Sequence, residues 1–565
     1  MMNRALRFLS SEVRGLQTAV YVLALCALLS SLLALLRDRL FAHAFGAGVQ
    51  LDLYYAAFRI PDFLFVCLGA LVSVYMLIPE LTRRDAEGER DYIDTVLVGF
   101  SLLAIFAGAV AALLAPGILE RLFPQFAEQG RLPELVALTR VMLLQPVLLG
   151  FSNIFAAITQ TRHRYTLYAI SPLLYNLGII IGIVALYPLF GLPGLAWGVV
   201  LGALFHAGIQ IPSIVHDGFL RRLPRLVLPR ELVKTITMSV PRALALSMNQ
   251  IAFIGLTALA ATLATGSIAI FMFAYNLQAV PLAIIGASYS VAAFPTLASA
   301  LSNGERSEFI RHIAIAARHV LFWSLPATAL IVVLRAHIVR TILGSGAFDW
   351  TDTRLTAAAF AVLSLSLACQ GLMLLLVRGY YAAGRTFVPF LVSTGIALGT
   401  IGLGEILIRA FGLPTVLASV QSLLRLQDIP GSTVLALAFA YAIATILGTV
   451  VLAFHFERRF RGFFAQIKRS LAQSITAAFA AGIAAYAMLA LMDPLTFAST
   501  LFSVFSRGFA AGTFGLIVAG LVYALLKNSE YLETTEAVRQ RLRRKPQEEV
   551  AEVAVMASAE EDTEL

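Results

Sequence analysis

Arg37-Asp38-Arg39-Leu40-Phe41-Ala42-His43-Ala44-Phe45-Gly46-Ala47-Gly48, followed by Asp52-Leu53-Tyr54-Tyr55-Ala56-Ala57-Phe58-Arg59-Ile60-Pro61-Asp62-Phe63, lies between two apolar runs. The charges of Arg37, Asp38, Arg39, Asp52, Arg59 and Asp62 therefore fall inside or just beside a segment long enough to span a bilayer. A charge facing lipid at mid-depth costs roughly 2.5–3.5 kcal/mol on insertion scales, so such residues face a bundle interior or a wet cavity and mark a functional-site hypothesis. Gly46 and Gly48 permit a tight turn, and Pro61 removes a backbone donor, which predicts a kink or break near Arg59 and Asp62. Many transporters build a substrate site from a broken membrane helix beside ionisable groups.

The rest of the chain agrees. Of 565 residues, 59% are hydrophobic and 13% charged, the mean hydropathy is +0.84, and apolar runs recur near the ~20 residues that cross a membrane. This composition predicts an all-α polytopic membrane protein. The formal charge of +9 comes from short basic clusters between apolar runs, a pattern that membrane topology explains and nucleic-acid binding does not. Cys26, Cys67 and Cys369 are odd in number and set apart in apolar sequence, so neither a disulfide nor a metal framework is expected. The eight histidines are scattered. No His-Glu-x-x-His, phosphate-binding glycine loop or Ser-His-Asp setting is present, so neither an enzyme nor a cofactor is expected.

About 14 spans are expected: 17–36, 53–79, 93–117, 134–160, 166–189, 193–215, 236–263, 267–300, 313–335, 355–383, 387–410, 432–456, 470–492 and 498–526. Residues 1–16, with Arg4, Arg7 and Arg14, suit a short helix on the cytoplasmic membrane face. With the N-terminus inside, the inner loops hold Arg83, Arg84 and Arg90, then Arg162 and Arg164, then Arg221, Arg222, Arg225, Arg230 and Lys234, then Arg458, Arg459, Arg461, Lys468 and Arg469. The outer loops are sparser in basic residues, so both termini are expected in the cytoplasm. The long outer connection 411–431 contains a helical stretch after a Thr415 cap. The tail reads as a short helix, a basic cluster from Arg539 to Lys545, and an acidic end from Glu548 to Glu564.

A faint duplication is visible. Phe58-Arg59-Ile60-Pro61, Gly69-Ala70 and Ile78-Pro79-Glu80-Leu81 are echoed by Asn276-Leu277-Gln278-Ala279-Val280-Pro281, Gly286-Ala287 and Phe294-Pro295-Thr296-Leu297. Such repeats form two lobes that rock around a midplane cavity. The expected organisation is an N-lobe over 17–217, a cytoplasmic linker over 218–235, and a C-lobe over 236–457 that carries the insertion 411–431. Two further helices over 470–527 and a charged tail over 528–565 complete it.

The residues in this order and spacing resemble the MurJ (MviN) lipid II flippase family of the multidrug/oligosaccharidyl-lipid/polysaccharide transporter superfamily. The likeness rests on Arg37-Asp38, Phe45-Gly46-Ala47-Gly48 with Asp52, Phe58-Arg59-Ile60-Pro61, Gln210-Ile211-Pro212, Pro241-Arg242 and Gln250-Ile251. It continues through Gly266-Ser267, Gly346-Ala347-Phe348, Arg378-Gly379-Tyr380-Tyr381-Ala382, Arg385-Thr386 and Pro389. It implies two six-helix lobes around a central cavity, two C-terminal helices beside a groove for a polyprenyl tail, and a place in a bacterial inner membrane. The implied activity is movement of lipid II, a peptidoglycan precursor, to the outer leaflet. The implied partners are the lipid-linked substrate, membrane lipids, a monovalent ion or the membrane potential, and cell-wall synthesis proteins. The chain departs from the family pattern at Ser31, at Phe65-Val66, at Gly69-Ala70-Leu71 and at Tyr275-Asn276, where charged residues are usual.

Arg37, Arg39 and Arg59, with Arg242 and Arg378 nearer span ends, are the phosphate-contact candidates, because arginine forks match phosphate oxygens. Asp38, Asp52 and Asp62 would hold those arginines or take part in ion coupling. Asn249, Gln250, Asn276 and Gln278 suit either sugar hydroxyls or interhelical hydrogen bonds. Glu405 and Arg507 suit a structural pairing. Three alternatives remain open: a flippase for another polyprenyl-linked saccharide, a cation or drug antiporter, and a non-transporting scaffold. The orientation is tested by cysteine labelling. Cysteines placed in 83–90 and after 530 are expected to react only from the cytoplasmic side, and one near 350 only from outside; outside labelling at 83–90 reverses the topology.

Overall fold

The computed structural model describes residues 16–162, 164–427, 429–492, 500–537 and 539–540. The expected surface helix within 1–15, the Arg242 side chain and the tail beyond 540 lie outside the described residues. Among these, the secondary structure is helical throughout and contains no strand. Eleven helices among the described residues are long and apolar enough to cross a membrane, and the pair Trp350–Ser364 and Leu367–Ala382, bent by 44°, makes twelve when taken as one span. The two other expected spans, 17–36 and 236–263, fall on helices Leu16–Phe45 and Pro229–Ala261. The molecule is an all-α polytopic membrane protein.

The second span is broken as Pro61 predicts. It runs as Val49–Ala57, Arg59–Leu71 and Val74–Leu81. Pro61 falls in the first turn after the Phe58 break, where a missing N–H leaves no intrahelical acceptor unpaired. Its echo in the eighth span interrupts differently: helix Ser267–Leu282 passes through a π-turn at Ala283–Ala287 into helix Ser288–Ser302. Gly286-Ala287 ends this π-turn, whereas Gly69-Ala70 lies in the last turn of helix Arg59–Leu71, just before the break at Val72-Ser73. In the connection 411–431 the helix is Pro414–Leu424, opened by Pro414 in its first turn and not capped by Thr415, and Arg425 ends it in the left-handed region at φ 60°. Glu405 pairs with Arg409 one turn away on its own helix, at 2.7 Å, in place of a partner on the fourteenth span.

The chain packs as two compact units. The first comprises Met1–Val280, Arg335–Ser366 and Gly384–Leu452. Within it, helices Tyr165–Ile181 and Leu192–Gly208 meet along a seam of glycines. A Cβ on Gly178 would lie 2.2 Å from the Gly202 backbone, and one on Gly198 would lie 2.5 Å from Gly182 Cα. Small residues four apart let two membrane helices touch backbone to backbone, where lipid offers no hydrophobic drive.

The second unit comprises Pro281–Leu334, Leu367–Ala383 and Ala453–Leu565. Helices Phe463–Ala490 and Leu501–Leu525 pair with each other in it and pack on residues 322–334 of the ninth span, with Gly515 against Leu330 and Tyr523 Oη donating to the Phe322 carbonyl at 2.8 Å. A buried polar knot fastens their far end. Glu530, 1% exposed, pairs with Arg318 at 2.9 Å and accepts from Ser470 at 3.2 Å and Ser529 at 3.0 Å. Asn528, fully buried, donates to Gln473 at 2.8 Å and caps the helical segment 529–537 through the Tyr531 N–H. Because Arg318 keeps 25% exposure, Glu530→Ala is expected to cost about 1–3 kcal/mol in thermal stability. The Arg318→Leu/Glu530→Leu double variant should recover part of it, as a melting series on the purified protein would read.

Candidate functional site

The quoted stretch builds the site in the first unit. Helix Leu16–Phe45 carries Arg37, Asp38 and Arg39 on its last turns and stops at Gly46, whose φ of +58° suits a helix C-terminus. The turn that follows is held from two sides. Asp52 Oδ2 accepts from the Gly266 N–H at 2.6 Å and its Oδ1 from Ala269 at 2.9 Å, so this 5% exposed carboxylate caps helix Ser267–Leu282 across a long sequence separation. Asp352 Oδ2 accepts from Ala47 at 3.0 Å, and the Ala347 N–H donates to the His43 carbonyl at 2.9 Å. Gly266, at φ +88°, leaves no room for a Cβ, which would lie 2.0 Å from the Ala47 carbonyl oxygen. Gly46-Ala47-Gly48, Gly266-Ser267 and Gly346-Ala347-Phe348, separate in sequence, thus meet at one place.

Arg39 is used structurally. Its Nη1 donates to the carbonyls of Thr341 at 2.7 Å and Ile342 at 3.1 Å, the last residues of helix Arg306–Ile342. A cation there satisfies carbonyls that lack intrahelical donors.

Arg37 and Asp38 form a closed set. Arg37 donates from Nε at 3.0 Å and Nη2 at 2.8 Å to Asp38 Oδ1, and from Nη1 at 3.0 Å to Asn176 Oδ1. Asn276 Nδ2 donates to the second Asp38 oxygen at 3.1 Å, and Asn176 Nδ2 to the Pro172 carbonyl at 3.1 Å. Asn176 was not singled out in the sequence, although a lone amide in the apolar run Leu173-Leu174-Tyr175-Asn176-Leu177 was a usable signal.

Arg59 differs. It is 4% exposed, its Nε donates to the Tyr55 carbonyl at 3.1 Å, and the Phe253 ring lies 5.8 Å from its guanidinium carbon. No hydrogen bond or ion pair engages its two Nη groups among the described residues. Asp62, one turn on, lies in electrostatic reach and takes Gln145 as a side-chain partner. Tyr275 lies close to Arg59 and packs edge-on against Phe253, with ring centroids 4.6 Å apart.

The other candidates lie elsewhere. Gln278 donates to the Leu363 carbonyl at 3.0 Å, an interhelical contact. Asn249 is exposed and Gln250 half-buried on helix Pro229–Ala261, and no hydrogen bond joins either to the Arg37 set among the described residues. Arg378, half-buried on helix Leu367–Ala382, belongs to the second unit. Ser31, at a departure from the family pattern, donates to the Ala27 carbonyl of its own helix at 3.0 Å.

The sequence profile of the family described as lipid II flippase MurJ matches residues 41–506. The chain belongs to the lipid II flippase MurJ family. A lipid II flippase MurJ of Burkholderia cenocepacia is 25% identical over 392 residues, covering 66% of this chain and 74% of that protein. A probable lipid II flippase MurJ of Buchnera aphidicola subsp. Schizaphis graminum is 26% identical over 380 residues, covering 65% and 73%. Among solved structures, a lipid II flippase MurJ in an inward closed conformation superposes with a TM-score of 0.70 at 21% identity, over 90% of this chain and 100% of that one. A multidrug resistance MATE family transporter in an inward-facing conformation gives 0.60 at 16% identity, over 77% and 96%. Both share the fold. Membership in MurJ makes the chain a transporter and not an enzyme.

The Arg37 set yields a test of role. With Asp38 at 3% exposure, Arg37→Ala strands a carboxylate and is expected to lower stability by up to about 3 kcal/mol. The Arg37→Ala/Asp38→Ala double variant should regain much of the melting temperature and membrane abundance lost by either single change. Additive losses would show that the two residues are not a pair.

Proposed function

We propose that this chain moves lipid II, a polyprenyl-diphosphate-linked peptidoglycan precursor, from the cytoplasmic to the outer leaflet of a bacterial inner membrane by alternating access between two six-helix lobes, with both termini in the cytoplasm. Family membership supports the substrate, and the observation that carries the site is Arg59. A headgroup crossing hydrocarbon needs fixed charge-assisted donors, because an unpaired ion there costs many kcal/mol. Arg37 spends its side-on fork on Asp38, and Arg39 spends Nη1 on helix-end carbonyls. Arg59 is buried, and its terminal nitrogens are uncommitted. It is the phosphate contact, and Asp62, held by Gln145, sets its position.

The charge balance sharpens this reading. The stretch 37–62 holds Arg37, Arg39 and Arg59 with Asp38, Asp52 and Asp62 in the same unit, so that its charges balance, and recognition rests on one fork and not on a broad positive field. Transport coupled to a monovalent ion or to the membrane potential fits an acidic group such as Asp62 beside the cargo site.

The test is complementation of a bacterium depleted of its own lipid II flippase. The wild-type chain is expected to restore growth. Arg59→Ala should fail at unchanged membrane abundance, losing a charge-assisted contact worth roughly 1.5–3 kcal/mol, and Arg59→Lys should rescue partly because it keeps the charge without the fork. Failure of the wild type at normal abundance would overturn the substrate, and full growth with Arg59→Ala would remove Arg59 from the site.

A further inference from the structure

Two polar side-chain atoms near Arg59 and its neighbour Asp62 are buried without partners. Tyr55 is 6% exposed and Gln145 is 4% exposed, and neither the Tyr55 hydroxyl nor Gln145 Oε1 finds a hydrogen bond. The Tyr55 ring stands edge-on to Phe273, with centroids 6.3 Å apart, and its hydroxyl lies in electrostatic reach of Asp38, Arg37 and Arg59. Gln145 opens helix Leu144–Thr161, just past the break at Leu143, and its side chain partners Asp62, which lies one turn from Arg59 and in its electrostatic reach. An unmet buried hydroxyl or amide oxygen costs about 1–3 kcal/mol. One beside an uncommitted guanidinium and one on the amide that partners Asp62 make a costly arrangement for a site that no ligand uses.

The chemistry of the unmet atoms limits what fits. Arg59 Nη only donates, the Tyr55 hydroxyl donates or accepts, and Gln145 Oε1 only accepts. An ionised diphosphate only accepts, so it satisfies Arg59 and Tyr55 and leaves Gln145 Oε1 bare. A sugar hydroxyl or acetamido N–H attached next to the phosphate supplies the missing donor. We infer that Tyr55 and Gln145 are specificity-determining residues that, with Arg59, read the junction between phosphate and first sugar, so that the site takes a glycosylated polyprenyl diphosphate in preference to the bare diphosphate. This rests on the transport reading above and adds the part of the headgroup that is recognised. Sites built to hydrogen-bond a donor reject analogues lacking it far more strongly than apolar pockets reject a missing methylene.

The test uses the full chain in detergent and two probes, lipid II and undecaprenyl diphosphate without sugar, titrated against wild type, Tyr55→Phe, Gln145→Met and Arg59→Ala. Wild type is expected to prefer lipid II, and Tyr55→Phe and Gln145→Met should each cut that preference by about tenfold. Arg59→Ala should weaken both probes together. Melting temperature separates this from a structural role at Tyr55, where deleting an unmet hydroxyl should leave stability equal or higher, whereas Gln145→Met also removes the amide that partners Asp62. Unchanged preference in both variants overturns the inference and assigns these atoms to internal water. Equal weakening of both probes, or a fall in the Tyr55→Phe melting temperature that tracks the loss, overturns it as well. Wild type that binds neither probe overturns the transport reading together with this one, whereas wild type that binds both equally overturns this one alone.

Discussion

Within a bilayer a polar group has no water to fall back on, and the first unit follows from that constraint. The end of one long helix would leave carbonyls bare, and Arg39 covers them at Thr341 and Ile342. The start of another would leave N–H groups bare, and Asp52 takes those of Gly266 and Ala269. Arg37 and Asp38 satisfy each other and draw in Asn176 and Asn276 to finish the count. Four charged residues of the stretch 37–62 are therefore engaged before any cargo arrives. Beside Arg59, the Tyr55 hydroxyl is left unmet.

Charges in an apolar stretch identify a membrane site in sequence, yet they do not sort ligand-binding residues from structural ones. Arg37, Arg39, Asp52 and Arg59 look alike as letters. Their roles diverge only when the carbonyls of residues 341 and 342, or the amides of residues 266 and 269, come within reach, and those contacts span sequence separations of more than two hundred residues. Pro61 was legible because its effect is local: a ring and a missing N–H act on the same turn. The cap of the 414–424 helix was misplaced by a residue or two for the opposite reason, since Pro414 and Thr415 both suit a first turn and the chain uses the proline. Asn176 and Gln145 are single amides in apolar runs, and only a partner on another helix gives either one meaning.

The family fragments also gain a physical reading. Gly46, Gly266 and Gly346 all adopt positive φ, and each packs its backbone where a side chain would collide with another loop. The spacing of these glycines along the chain reflects a three-way backbone junction. The departures at Phe65-Val66 and Tyr275-Asn276 fall on the other side of the ledger. With an amide at 276 donating to Asp38, that carboxylate is satisfied without a second cation.

The glycine seam between helices Tyr165–Ile181 and Leu192–Gly208 has a mechanical consequence. Two backbones in van der Waals contact over several turns cannot slide or rotate without collision, because there are no flexible side chains between them to repack. The pair behaves as a girder. Bending in the first unit is easiest where its helices are already interrupted, as at Phe58 and at Val72-Ser73 in the second span and at Leu143. Stiffness in one pair of helices and compliance in another would thus be fixed by glycine spacing and a proline, and a bulky residue at Gly198 would be felt as lost motion at Phe58 as well as lost packing.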